Sequence, residues 1–394
     1  MSLRQVYEIE RPLPPIIARM ERRGIKIDKD RLIALGDRLD VEMVELDKGI
    51  LSDVPVTSPQ QLGVYLFETL GLPNKGKTEL SKQWKTDEGT LLAIGRQVDH
   101  PILKAVLRKR ELAKQKSTYV IGYLERLDDN NRIHTNLLQT GADTGRFSSY
   151  NPNLQNVTAS GDFGHELRAC FITDAGWLLV VCDHSQIEYR VIAAASMEPY
   201  LIEAFKQGKD IHQAVTELLG VDSRRTGKTL NFGVVYGLSV AALAAQLGRT
   251  KAETQVLWDL YWSSLPLVRQ HIKEVEAAIM YRGYSETMFG RRNYLKVPEN
   301  KKELAAILRK GFNMETQGTA ADIIKMQMPM ADNIARRHGA HMLLQVHDEL
   351  VFEVEEDKAE SLRDTIQESG RRIVDIGVPL EMSGGIGINW AEAK

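Results

Sequence analysis

Cysteine is nearly missing from this sequence of 394 residues: only Cys170 and Cys182 occur, both in apolar surroundings and without metal-ligand spacing. That argues against a disulfide framework and a cysteine-based zinc site, and it fits reduced core residues in a reducing compartment. Long hydrophobic runs are missing too. No apolar stretch approaches the roughly 20 residues of a membrane span, and the opening MSLRQVYEIE has no signal-peptide pattern. Internal repeats, low-complexity segments and a net charge of one sign are likewise absent, with 51 Lys and Arg against 53 Asp and Glu. The remaining picture is an ordinary globular composition, long enough for roughly two or three domains with a large core. It reads as a cytosolic, nucleoid-associated or organellar chain without a membrane partner. A P-loop is excluded as well: Gly227-Lys228-Thr229 ends like one, but the glycine required five positions earlier is Asp222.

Local charge is less even than the total. Residues 100–118 hold Lys104, Arg108, Lys109, Arg110, Lys114 and Lys116 against Glu111 alone, whereas residues 349–360 hold six acids and only Lys358. A run of this kind is usually a solvated face; the alternative for the basic one is a local phosphate-binding patch. Along the chain, the first third carries apolar residues at helical spacing, with a helix start at Thr57-Ser58-Pro59 and stops at Gly71 and Pro73. Near Asn130 the pattern changes to Gly, Ser, Asn and Thr with short apolar pieces. Residues 197–282 return to helical spacing, and MLLQVHDELVFEV reads as two strands around a tight turn. The plan is a helical arm, a sheet-bearing core and a helical insertion, with the core resumed at the end.

Three constellations carry chemistry. In VVCDHSQIEYR the apolar run from Trp177 to Cys182 reads as a buried strand ending in Asp183, where open sheets place their sites. Ser185 and Glu188 have the S-x-x-E spacing of a capping box, which would account for that glutamate structurally. The second constellation is Gln345-Val346-His347-Asp348-Glu349-Leu350, two acids between hairpin strands, where a turn without chemistry is the plainer reading. If the two strand tips meet, Asp183 and Asp348 form a hard oxygen site suited to Mg2+ held partly by substrate phosphates. In RRTGKTLNFGVVYG, the third, Arg224, Lys228, Phe232 and Tyr236 recur every four residues. On a helix they drift only about 120° over roughly 18 Å, so two cations and two aromatics form one stripe. Such a stripe suits a nucleoside triphosphate, while Gly227, Gly233 and Gly237 weaken the helix expectation.

Together these segments resemble, in order, the three polymerase motifs of family A DNA polymerases. Further matches are IERPLPPIIARMERRGIKID, KSTYV at 116–120, TGRFSSYNPNLQN at 144–156, GKDIH at 208–212, GRR at 290–292 and QGTAADIIK at 317–325. The resemblance covers essentially the whole chain. It implies an α+β right-hand fold with an antiparallel palm sheet: thumb and N-terminal helical region at 1–140, palm at 141–196 and 294–394, fingers at 197–293. It also implies template-directed addition of deoxynucleotides to a primer 3′-hydroxyl with release of pyrophosphate, by a monomer using two Mg2+ ions for which Mn2+ can substitute.

By the same resemblance Asp183 and Asp348 would hold the metals and Glu349 would support them. His212, Arg224 and Lys228 would contact the triphosphate, with Lys228 also catalytic. Phe232 would lie beside the sugar, Tyr236 at the base of the nucleotide pocket, and Glu188 would exclude a ribose 2′-hydroxyl. Arg146, Asn153, Gln155, Arg309, Asn313, Gln317 and His347 would meet primer-template DNA, and the basic run at 104–116 would face duplex phosphates. Three departures stand out: His184 where a tyrosine is usual, Thr226-Gly227 in place of alanines, which should loosen the fingers helix, and Thr158-Ala159-Ser160 in place of a proline and a basic residue. The chain starts at the thumb, so no 5′ nuclease or proofreading domain is expected in it. RNA-templated synthesis and a catalytically silent DNA-binding role are the two other readings.

Overall fold

The computed structural model describes residues 3–74 and 76–394. They form two compact units, one of residues 27–133 and one in which the segment ending at Lys26 joins residues 134–394. Residues 3–26, expected to belong with a 1–140 helical region, thus fold with the second unit.

The smaller unit is helical. Asp28 caps the helix Lys29–Lys48 by accepting from the Arg31 amide at 2.9 Å, and Ser58 caps Pro59–Val64 as its sequence suggests. Leu62, Leu66, Leu91, Ile94 and Val106 fill the core. The basic run lies mostly on the helix Pro101–Gln115, and much of its charge is neutralised within the unit. Arg108 forks onto Glu42 at 2.6 and 2.9 Å, Lys104 meets Asp99 at 2.8 Å, and Lys109 and Lys116 pair with Asp47 and Asp40. Of the six cations, only Lys114 and Arg110 make no ion pair among the described residues, and Arg110 is held by Thr86.

The larger unit is built on a four-stranded antiparallel sheet. Its strands are β1 (Trp177–His184), β2 (His341–Val346), β3 (Glu349–Glu355) and β4 (Met382–Gly387), in the order β4-β1-β3-β2. Strand β1 is central, so its apolar run is buried on both faces, as in any strand with packed layers above and below. The β2–β3 hairpin turns through only His347 and Asp348, with His347 in the left-handed region at φ 55°. Val180, Cys182, Leu350 and Phe352 pack with Ile323 and Met328 of the long helix α4 (Lys301–Arg337) and with Leu362 of α5 (Ala359–Arg371). Both cysteines are free and buried.

Three further helices position the site: α1 (Ile187–Ser196), α2 (Ile211–Leu219) and α3 (Arg224–Val235). The close crossing of α2 and α3 explains Gly227. A Cβ there would lie 2.1 Å from Thr216 Oγ1 and 2.5 Å from the His212 carbonyl oxygen, so only glycine permits this approach. The expected loosening of the helix is therefore replaced by a packing role, and α3 runs unbroken through both Gly227 and Gly233. Gly237 at φ 75° follows the end of α3, against the Arg309 side chain.

Candidate active site

Antiparallel register brings the two aspartates together. Asp183 pairs with Glu349 across β1 and β3, and the His184 amide donates to the Asp348 carbonyl at 3.0 Å, which fixes the hairpin turn against the end of β1. Asp348 Oδ1 is fully buried and makes no hydrogen bond, while the side chain as a whole keeps 26% exposure on its other edge. Burial pushes the Asp348 carboxyl up to about 7, opposed by Arg146 and reinforced by the charges of Glu188 and Asp183. Asp183 is raised for the same reason, with Lys394 opposing. Two carboxyls, both made uncomfortable as anions, form a place where a cation is favoured.

Glu349 differs from them. Its carboxylate is buried and already satisfied: Trp390 Nε1 donates to Oε1 at 2.8 Å, Arg168 stands 3.4 Å from that oxygen, and Lys394 pairs with Oε2. Lys394 also lies 3.5 Å from Asp183 Oδ2. The sequence gives no sign of these partners, which come from the segments 168 and 390–394. Among the described residues no group of three His, Cys, Asp or Glu side chains is set for a metal.

The capping-box reading of Ser185 and Glu188 is overturned. Gln186, in the left-handed conformation at φ 54°, is the N-cap of α1, and no side chain caps it. Glu188 instead accepts from Arg146 Nη2 at 2.5 Å and from the Tyr236 hydroxyl. Burial and the Glu188 charge together raise the Tyr236 phenol well above its ordinary range, so it remains a donor. Arg146 Nη2 also stands 3.8 Å from Asp348 Oδ1, and one guanidinium thus links Glu188 to the aspartate pair.

His184 points away from this site. Successive strand residues face opposite sides, so next to Asp183 its ring is buried beneath the sheet, with Nε2 2.6 Å from Gln327 Oε1 of α4. Burial lowers its pKa to about 4 and the ring is neutral. It is a core residue, and nothing in the structure explains why histidine stands there in place of tyrosine.

On α3, Ser223 caps the first turn and Arg224, Lys228 and Phe232 follow in one stripe, with Tyr236 just past the helix end. Phe232 stacks on Tyr236 with centroids 5.8 Å apart, and His212 of α2 lies 5.4 Å from Phe232. Asn231 Nδ2 donates to His212 Nδ1 at 3.0 Å, which leaves Nε2 to carry the ring proton. Burial lowers His212 to about 4, so it is a neutral donor. Arg224 forks onto Asp210 through Nε at 3.2 Å and Nη2 at 2.7 Å.

The residues expected to meet DNA are not equivalent. Arg309, Asn313 and Gln317 lie at four-residue steps along α4, and Asn313 Oδ1 is buried without a hydrogen bond. Asn153 is exposed and caps the Gln155 amide at 2.9 Å. Gln155 itself is buried at 9% exposure and spends its amide on Gln345, 3.1 Å from both its carbonyl and Oε1. Gln345 in turn donates to the His347 carbonyl in the hairpin turn, so Gln155 braces the turn in this structure, while His347 is exposed.

The family model described as DNA polymerase family A matches residues 29–392, which include Asp183, Asp348 and the helices α1 to α4. The chain belongs to DNA polymerase family A. Among curated proteins it is 40% identical to the thermostable DNA polymerase I of Thermus filiformis, over 98% of this chain and 48% of that protein. It is 37% identical to the DNA polymerase I of Synechocystis sp., over 98% of this chain and 42% of that protein. The chain therefore spans about half the length of the curated relatives it matches. Its fold is similar to that of a solved structure described as the POL domain of Pol1 from M. smegmatis in complex with DNA primer-template and dNTP. The TM-score is 0.90 at 34% identity, covering 98% of this chain and 70% of that one.

Proposed function

We propose that this chain is a template-directed DNA polymerase that joins a deoxynucleoside triphosphate to a primer 3′-hydroxyl and releases pyrophosphate. The observation that carries the reading is the meeting of Asp183 and Asp348, 165 positions apart in sequence, at adjacent strand ends with a buried, unbonded Asp348 Oδ1. Family membership and the primer-template and dNTP named for the M. smegmatis structure support it.

The donor set fits Mg2+. Asp183 and Asp348 are oxygen ligands with spare lone pairs, and Glu349 is committed to Trp390, Lys394 and Arg168. Two protein carboxylates leave most of an octahedral shell to water and substrate phosphates, which is how Mg2+ is commonly held. Two such ions would supply an activated attacking oxygen and charge stabilisation at the leaving one. The protein's own part is positioning. Arg224, Lys228 and neutral His212 present donors to a triphosphate, the Phe232–Tyr236 stack offers a face to sugar and base, and Glu188, fixed by Arg146 and Tyr236, closes the space beside the sugar. In this reading the unit of residues 27–133 is the thumb, the sheet with α4 and α5 is the palm, and the helices of 197–293 are the fingers.

Primer extension on a defined DNA template tests the reading. Mg2+-dependent product whose sequence follows the template is expected; untemplated addition, or binding of primer-template with no extension under any divalent ion, would overturn it.

A further inference from the structure

We propose that Asp210 is an internal stand-in for a nucleotide phosphate: its carboxylate holds Arg224 until a triphosphate exchanges for it, and recaptures Arg224 when pyrophosphate leaves. The proposal rests on the reading of Arg224 as a triphosphate ligand, and makes Asp210 a positioning residue that tunes nucleotide uptake.

The geometry is that of an occupied anion site. Arg224 presents its Nε and Nη2 edge to both carboxylate oxygens, at 3.2 and 2.7 Å. The same planar edge is what a phosphate would take in a bidentate contact, so one anion at a time can use it. Lys228, one turn along α3, is exposed and makes no ion pair among the described residues. Both members of the pair are reachable from solvent, with side-chain exposures of 54% for Arg224 and 35% for Asp210.

Release of Arg224 does not strand the carboxylate. Asp210 Oδ1 accepts from the Gln213 amide at 2.8 Å, as the N-cap of α2, and Oδ2 accepts from Gln186 Nε2 at 2.7 Å. Gln186 Oε1 accepts from the Ile211 amide at 3.2 Å. Asp210 therefore stays bonded after exchange, and the exchange is readily reversible. Burial tends to raise the Asp210 carboxyl, but Arg224 and the Gln213 amide hold it below the usual carboxylate range, which favours the anion. Gln186 stands two residues before Glu188, which places the anchor of the displaced carboxylate on the same short segment as the sugar-facing glutamate.

The test is the equilibrium Kd of the next correct dNTP for protein bound to a dideoxy-terminated primer on DNA template. Asp210→Asn and Asp210→Ser both keep an N-cap oxygen and remove the charge. Each is expected to bind the triphosphate about two- to fivefold tighter than wild type, the range of an exposed ion pair. The gain should vanish when either is combined with Arg224→Gln. Variants at Asp210 that bind no tighter than wild type, or a gain that persists beside Arg224→Gln, would overturn the proposal. Arg224→Gln alone separates the two levels: it should weaken binding, and an unchanged Kd would remove Arg224 from the triphosphate site and the exchange with it.

Discussion

Gly227→Ala is a small change with a calculable cost. The added carbon would meet Thr216 Oγ1 at 2.1 Å and the His212 carbonyl oxygen at 2.5 Å, both on α2. Thr216 can turn away, but its hydroxyl then gives up its 2.6 Å bond to that carbonyl, a loss of about 1 kcal/mol. The carbonyl is backbone and can be relieved only if α2 and α3 part by about 1 Å, an overpacking strain of roughly 1–3 kcal/mol. Alanine's better helix propensity offsets about 1 kcal/mol, leaving a net destabilisation of about 1–3 kcal/mol. Urea unfolding at pH 7 measures it, and adding Thr216→Ala should recover part of the loss. Because α2 carries His212 and α3 carries Arg224 and Lys228, dNTP binding should weaken in parallel. A Gly227→Ala protein as stable as wild type or more so would refute the packing explanation and restore the glycine as a source of flexibility.

Other expectations follow from the same contacts. His184 stays neutral in the fold down to about pH 4, whereas in the unfolded chain it takes up a proton below its ordinary value of 6.5. The unfolded state binds more protons in that window, so wild-type stability should fall relative to His184→Asn as pH drops from 6.5 to 4, by on the order of 3 kcal/mol. A stability difference that does not change with pH would mean the ring is charged in the fold. Glu188→Ala should raise ribonucleotide incorporation relative to deoxynucleotide, and Tyr236→Phe should do so less strongly, since Arg146 still holds the carboxylate. Unchanged ratios in both would leave Glu188 as an anchor for Arg146 only.

The sequence made the main site legible because strand periodicity and charge coincide there: an apolar run ending in an acid, twice, places Asp183 and Asp348 at strand ends. The helical stripe of α3 was legible for a similar reason, since four-residue spacing survives even where glycines lower propensity. Long-range pairing was not. Glu349 was expected to support the aspartates, but its partners Trp390 and Lys394 come from the far end of the chain, where no local pattern marks them. Ser185 and Glu188 have capping-box spacing, but Gln186 enters the left-handed region and moves the helix start past the serine. Glycine at 227 reads as looseness when the crossing helix is unknown. The 37-residue α4 has no amphipathic signature, because its buried residues, among them Phe312, Met314, Thr316, Ala320, Ile323 and Lys325, surround the axis and leave no stripe.

The most direct measurement compares single-turnover primer extension by wild type, Asp183→Ala and Asp348→Ala at saturating primer-template, with primer-template affinity measured alongside. Both variants are expected to bind DNA near wild-type affinity and lose extension by several orders of magnitude, since each removes one of the two oxygen ligands not already spent inside the protein. Extension within tenfold of wild type in either variant would contradict the assignment of the aspartate pair as the reaction centre.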